Sequence, residues 1–192
     1  MPKPSGSKVV HPARLPRMRW ANGGGATREI GIGFRDAPHT AGYAWRLSLA
    51  ELTQAADFSS LPGIDRIFTL ASPGPLTLSI NGVQRTLELG QAVEFTGEAK
   101  VQVALLTAGP QLGLNLMTHR SISAGAVLTA RRNGRLQLDP RAGVVAATVL
   151  AGRATLTGDR RLTDLATLIL GSEAEELHAE DCLLAVTTIH SD

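Results

Sequence analysis

Nine polar residues in this chain are of types suited to holding a small anion: Asn22, Thr27, Arg28, Glu29, Arg46, Ser48, Ser59, Arg66 and Asn115. Arginine presents a planar fork of N–H donors that fits a carboxylate two bonds at a time. Two or three arginines with amides and hydroxyls around a water-shielded cavity suit a small carboxylate, gripped by charge-assisted hydrogen bonds. The set holds no evident nucleophile. The histidines, His11, His39, His119, His178 and His190, are scattered, with no His-x-His and no two within four residues. A metal needs several converging ligands, so neither a metal nor any other cofactor is expected. A Gly-x-Ser-x-Gly elbow and a phosphate-cradling Gly-x4-Gly-Lys-Ser/Thr loop are both absent from the sequence. His119 with an acidic partner offers acid–base chemistry, but nothing in the spacing singles it out.

Four of the nine lie in one stretch, Trp20-Ala21-Asn22-Gly23-Gly24-Gly25-Ala26-Thr27-Arg28-Glu29-Ile30. Successive glycines free the backbone for positive φ and for close approach. The stretch reads either as a tight turn backed by an Arg28/Glu29 pair or as the edge of a ligand site. A strand pattern follows the glycines rather than a helix, so a helix-dipole anion site is not expected.

The elements that must position these residues are strands. Glu29 to Phe34 alternates, with Ile30, Ile32 and Phe34 on one face. Tyr43, Trp45, Leu47 and Leu49 share one face of the next strand and Arg46 and Ser48 the other, which either meets solvent or lines a pocket. Phe58 to Arg66 is a Pro-Gly loop ending in Asp65 and Arg66, a structural ion pair or an anion clamp. Asn81-Gly82 between alternating apolar runs predicts a hairpin of 76–80 with 83–89. Strands follow over 91–95, 101–106 and 112–117, the last carrying Asn115, whose amide needs partners if buried. Asn133-Gly134 predicts a second hairpin, and 144–150, 154–157, 161–170 and 183–189 read as strands. Residues 173–179 suggest a short turn of helix and 36–42 a loop. Residues 1–17, rich in proline, read as an irregular lead.

At 192 residues the chain is one large domain or two small fused ones. Six basic residues precede the first acid, Glu29, and the remainder carries 13 basic and 17 acidic residues. The basic arm is short, proline-rich and without interleaved aromatics, so a solvated terminus is expected rather than nucleic-acid binding. Cys182 has no partner for an intrachain disulfide, which fits a reducing compartment, and its apolar neighbours predict a buried, inert thiol. No apolar h-region marks a signal peptide, and no run approaches the roughly 18 residues of a membrane span. A soluble, cytoplasmic protein that leaves membranes alone is expected. Exposed β edges make a homodimer conceivable.

Four ordered motifs, WANGGGATREI, WRLSLAEL from Trp45, FSSLPGIDR from Phe58 and GPQLGLNLMTHR from Gly109, resemble the HutD/Ves family across about residues 16 to 120. The resemblance implies an all-β double cupin, two fused jelly-roll-like barrels. The halves would be 18–120, carrying the motifs, and 121–192, with strands exchanged between them. A faint internal echo, 76–95 against 154–169, agrees with two related halves. The resemblance implies a regulator or sensor of histidine utilisation rather than an enzyme. Its ligand would be a small carboxylate such as formylglutamate or urocanate. It also places Arg46 and Ser48 in the pocket. Two departures stand out: Ala21 where the family often has Lys, and Gly113 where it often has Asp. A metal-free cupin isomerase or lyase on a carboxylated substrate, and an interaction module with a vestigial pocket, are the alternatives.

Overall fold

Alternating apolar residues, few helix-length periods and frequent turn glycines leave the backbone little choice but sheets. A computed structural model describes residues 6–34, 42–163 and 165–191. The expected loop at 36–42, with His39, lies outside them except for Gly42. The described residues are almost all β. In chain order the strands are β1 (Lys8–Val10), β2 (Met18–Arg19), β3 (Gly25–Gly33), β4 (Trp45–Leu52), β5 (Ala56–Asp57) and β6 (Ile64–Leu70). Next come β7 (Leu76–Ile80), β8 (Val83–Leu87), β9 (Ala92–Thr96), β10 (Val101–Leu105) and β11 (Gln111–His119). The last are β12 (Ser123–Leu138), β13 (Val144–Leu156), β14 (Arg160–Leu162), β15 (Thr167–Ile169) and β16 (Glu175–Ser191). The helical content among the described residues is two 3-10 turns, Pro12–Arg14 and Pro140–Ala142. No helix among the described residues is long and apolar enough to cross a membrane.

The strands gather into two units. The larger, Leu15–Gly125, holds a six-stranded sheet in the order β2-β3-β4-β11-β6-β9 and a four-stranded sheet in the order β5-β10-β7-β8. Its core lies between them: Leu52, Phe68, Leu70 and Phe95 from the first, and Leu76, Leu78, Leu87, Val101 and Val103 from the second side. The smaller unit, Ala126–His190 with the segment up to Arg14, holds one sheet, β1-β15-β13-β16-β12, with β14 paired to β13. Leu138, Val149, Leu156, Leu162, Leu168, Leu177, Cys182 and Leu184 build its core. Cys182 is fully buried, and burial pushes its thiol up to about 11. Among the described residues the ladders form open sheets rather than closed barrels.

The Asn81-Gly82 hairpin forms as expected, with φ of 50° and 85° at its two central residues, the pair a type I′ turn demands. Asn133-Gly134 makes no hairpin, because only Gly134 has positive φ and the chain runs straight on as β12. Residues 173–179 are not helical. Leu177 and Ala179 pair with Leu156 and Ala154 and are buried, so cross-strand packing overrides local propensity. The 161–170 run is interrupted by Leu165, at φ 67°, and splits into β14 and β15. The proline-rich lead contains β1, which pairs with β15. In β3 a bulge after Glu29 breaks the alternation, leaving Ile30 buried but Ile32 and Phe34 exposed.

One ion-pair network fixes the loop before β6. Arg120 donates to Asp65 Oδ1 at 2.8 Å and to Glu98 Oε2 at 3.0 Å, while the Gly63 N–H donates to Glu98 Oε1 at 2.8 Å. The Arg120 bond, then the Gly63 bond, hold the Glu98 carboxyl down at about 2, against an ordinary 4.5. A depressed carboxylate stabilises the fold above its unfolded value, and that contribution fades as pH falls from about 4.5 toward 2. Glu98→Gln should therefore unfold with a flatter acid limb than the parent chain, the two curves converging at low pH. Chemical denaturation at stepped pH checks this; a constant gap across the window would refute it.

Candidate functional site

The site is set by register. In β4, Arg46, Ser48, Ala50 and Leu52 share a face, and Leu52 lies in the core between the two sheets of the larger unit, so this is the inner face. The ladders place Met117 opposite both Arg46 and Arg66, Asn115 opposite both Ser48 and Phe68, and Gly113 opposite Ala50 and Leu70. Glu29 of β3 stands opposite Ser48, and Phe95 of β9 opposite Arg66. Five candidates from four strands, Glu29, Arg46, Ser48, Arg66 and Asn115, thus meet on one inner surface.

Three of these carry buried polar atoms with no hydrogen-bond partner among the described residues: Ser48 Oγ, Arg66 Nε and Asn115 Oδ1. Their residues are 1%, 6% and 5% exposed. Such atoms ordinarily find partners, and leaving one unmade costs about 1–3 kcal/mol. Directly opposed residues have Cβ atoms about 4.5–5.5 Å apart and diagonal ones about 7–8 Å, so the three fall within reach of one small molecule. Toward solvent the surface ends in an ion pair, Arg46 Nε to Glu29 Oε2 at 2.9 Å, with the Glu29 side chain 42% exposed.

Arg66 is the charge inside. Its guanidinium carbon lies 4.8 Å from the ring centroid of Phe58 and 5.2 Å from that of Phe95. Burial pushes its pKa down to about 10; nearby Tyr43 works against the shift and Arg46 with it. It remains cationic at neutral pH, ready to accept an anion. Asp65 is not its partner. Neighbours along a strand point to opposite faces, so Asp65 joins Arg120 while Arg66 turns inward.

Of the other four candidates, three bond elsewhere and one is exposed. Asn22 donates from Nδ2 to the Asp57 carbonyl at 3.0 Å and accepts the Gly24 N–H at 3.1 Å. The Thr27 hydroxyl accepts the Trp20 indole N–H at 2.8 Å. Arg28 faces away from Glu29 and donates to the Leu15 carbonyl at 2.5 Å, so the Arg28/Glu29 pair, one of the two readings of this stretch, is not formed. Ser59 is exposed in the loop after β5. The glycines serve the backbone: Gly23 takes φ 73°, and a Cβ on Gly25 would sit 2.2 Å from the Glu51 carbonyl oxygen. Among the described residues no three His, Cys, Asp or Glu side chains gather where they could hold a metal ion. His119 contacts Ser121, Nδ1 to Oγ at 3.0 Å.

Tyr43, Phe95 and Met117 belong to the surface but were not among the sequence candidates. Met117 lies between the two arginines in register, and the Tyr43 hydroxyl is 4.0 Å from its sulfur. The alternation of 112–117 carried the signal for Met117, since it shares a face with Asn115. Phe95 could be found only through the ladder joining β9 to β6.

Comparison with known proteins agrees with this architecture. The structure superposes on HutD from Pseudomonas fluorescens SBW25 with a TM-score of 0.80, at 24% identity, over 97% of this chain and 99% of that one. A Cupin 2 conserved barrel domain protein from Leptotrichia buccalis matches at a TM-score of 0.60 and 13% identity over 96% of each chain, which places the fold among cupin-like β proteins. Protein Ves from Citrobacter koseri is 34% identical over 151 residues, 78% of this chain and 75% of that protein. A Pseudomonas putida protein described only as an uncharacterized 21.2 kDa protein in the hutC 3′ region is 39% identical over 93 residues, about half of each chain. The HutD family model matches residues 12–191, nearly the whole length, and the chain belongs to the HutD family.

Proposed function

We propose that this protein binds a small carboxylate on the inner face of the larger unit and acts without catalysis, as a cytoplasmic sensor or regulator of histidine utilisation. The observation that carries the reading is the trio of buried atoms, Ser48 Oγ, Arg66 Nε and Asn115 Oδ1, that find no partner among the described residues, around a guanidinium with no carboxylate among them. A carboxylate would take the Arg66 and Ser48 donors. An N–H or O–H on the same molecule would satisfy Asn115 Oδ1, and formylglutamate and urocanate both have that combination. The Glu29–Arg46 pair forms the rim through which the ligand enters. The hutC-region relative favours the pathway. In this proposal the two units are the halves of a bicupin, the partner is a metabolite, and a homodimer is compatible with the free sheet edges.

An isomerase or lyase reading would ask Glu29 or His119 to move protons. It receives less support, because Glu29 is tied to Arg46 and His119 to Ser121. The interaction-module reading calls for an apolar plug; Phe58, Phe68 and Phe95 do supply apolar bulk on the inner face, but the buried Ser48, Arg66 and Asn115 beside them offer polar atoms that such a module does not need.

Calorimetry and thermal denaturation with formylglutamate and urocanate test the proposal. A ligand at 100 times its Kd should stabilise the chain by about 2.7 kcal/mol. No shift at millimolar concentrations of either acid would overturn it. Ser48→Ala and Asn115→Leu should each raise the stability of the free protein by about 1 kcal/mol, since each deletes an unsatisfied atom, while abolishing the ligand-induced shift. Loss of stability in both variants would mean that the atoms already have partners.

A further inference from the structure

The glycine-rich corner does not touch the polar trio, yet it is joined to Arg66 by an unbroken set of contacts. The Gly23 N–H donates to the Trp20 carbonyl at 3.1 Å and the Trp20 N–H to the Gly25 carbonyl at 2.9 Å, closing the turn. The indole is oriented by its bond to Thr27 at 2.8 Å. Asn22 holds the backbone at Asp57, and Gly24, which accepts the Thr53 N–H at 3.1 Å, lets Ala56 approach so closely that a Cβ there would lie 2.2 Å from the alanine methyl. Both contacts fix the chain immediately before Phe58. The Trp20 ring then meets Phe58 edge-on, with centroids 6.0 Å apart and planes at 80°. Phe58 in turn packs on Phe68 at 5.8 Å and Phe95 at 6.2 Å, and its face receives the Arg66 guanidinium.

A guanidinium without a carboxylate has several low-energy orientations unless something selects one. Two ring faces do so here: they attract the cation through their quadrupoles and leave its Nε edge unbonded. Phe95 stands on a strand, in register. Phe58 lies in the loop after β5 and is braced by Trp20. We infer that Trp20 is a positioning residue: through Phe58 it fixes the direction in which Arg66 presents its donors to the bound anion. The inference rests on the carboxylate-binding reading of the inner face, but the orientation of Arg66 can be observed without a ligand.

The test compares the parent chain with Trp20→Phe, Trp20→Leu and Phe58→Leu. One readout is calorimetric affinity for formylglutamate and urocanate. The other is the NMR signal of Arg66 Nε–H, identified by its disappearance in Arg66→Lys and displaced by the ring currents of Phe58 and Phe95. Trp20→Leu should move that signal toward the position of a solvated arginine and weaken affinity by about tenfold, because Phe58 no longer holds the guanidinium in one direction. Trp20→Phe keeps an aromatic edge against Phe58 and should leave the signal in place and restore affinity to within about threefold. A purely structural role for Trp20 would lower stability without moving the signal. An unmoved signal with parental affinity in Trp20→Leu overturns the inference. If Trp20→Leu does not fold, Phe58→Leu decides by affinity: tenfold weaker supports the inference, parental overturns it. If the parent chain binds neither acid while the signal still moves, the site reading fails and the positioning role stands.

Discussion

Taking a guanidinium out of water costs several kcal/mol unless a counter-ion and a full set of acceptors replace its hydration. At Arg66 the described residues supply two aromatic faces and no carboxylate. That choice governs much of the larger unit. Phe95 must come from the neighbouring strand β9 and Phe58 from a loop held in place. The nearest acid in sequence, Asp65, is turned to the opposite face and bound by Arg120. Across the inner face, Ser48 and Asn115 each keep an atom unbonded. Left empty, the arrangement is a local weakness. In the proposed complex an anion with a donor group would give each of those atoms a partner, and that difference would favour occupancy.

The same logic explains the glycine triplet. From composition it is an obvious place for a ligand, because backbone without side chains can approach anything. Here what it approaches is protein: Gly24 lies against Ala56 and Gly25 against the Glu51 carbonyl. Its openness is used up in joining the ends of β3 and β4 to the start of β5. The polar residues around it, Asn22, Thr27 and Arg28, bond to backbone or to Trp20. In this chain the stretch serves architecture, and the buried polar trio lies one aromatic layer further in.

How much of this was legible depended on whether the deciding contact was local. The period of two at 43–49 was plain, and it put Arg46 and Ser48 on one face; only the partner sheet showed that this face looks inward. Asn81-Gly82 declared its hairpin because both residues accept positive φ. Asn133-Gly134 has the same letters, but lies inside the 16-residue strand β12, which pairs with β16 and runs straight through. Residues 173–179 have helix-forming side chains, yet Leu177 finds Leu156 across the sheet, which no local pattern shows. Asp65 and Arg66 were read as charges at a strand mouth, but Asp65 pairs with Arg120, 55 residues downstream, and Arg66 packs on Phe58 from the preceding loop and Phe95 from another strand.

The lone thiol of the smaller unit has a practical meaning. Cys182 lies in the apolar interior of that unit, protonated and out of contact with water. A thiol reagent can reach it only when those strands part, so its labelling rate is an intrinsic clock for openings of the smaller half. The larger half has no cysteine and leaves that clock undisturbed.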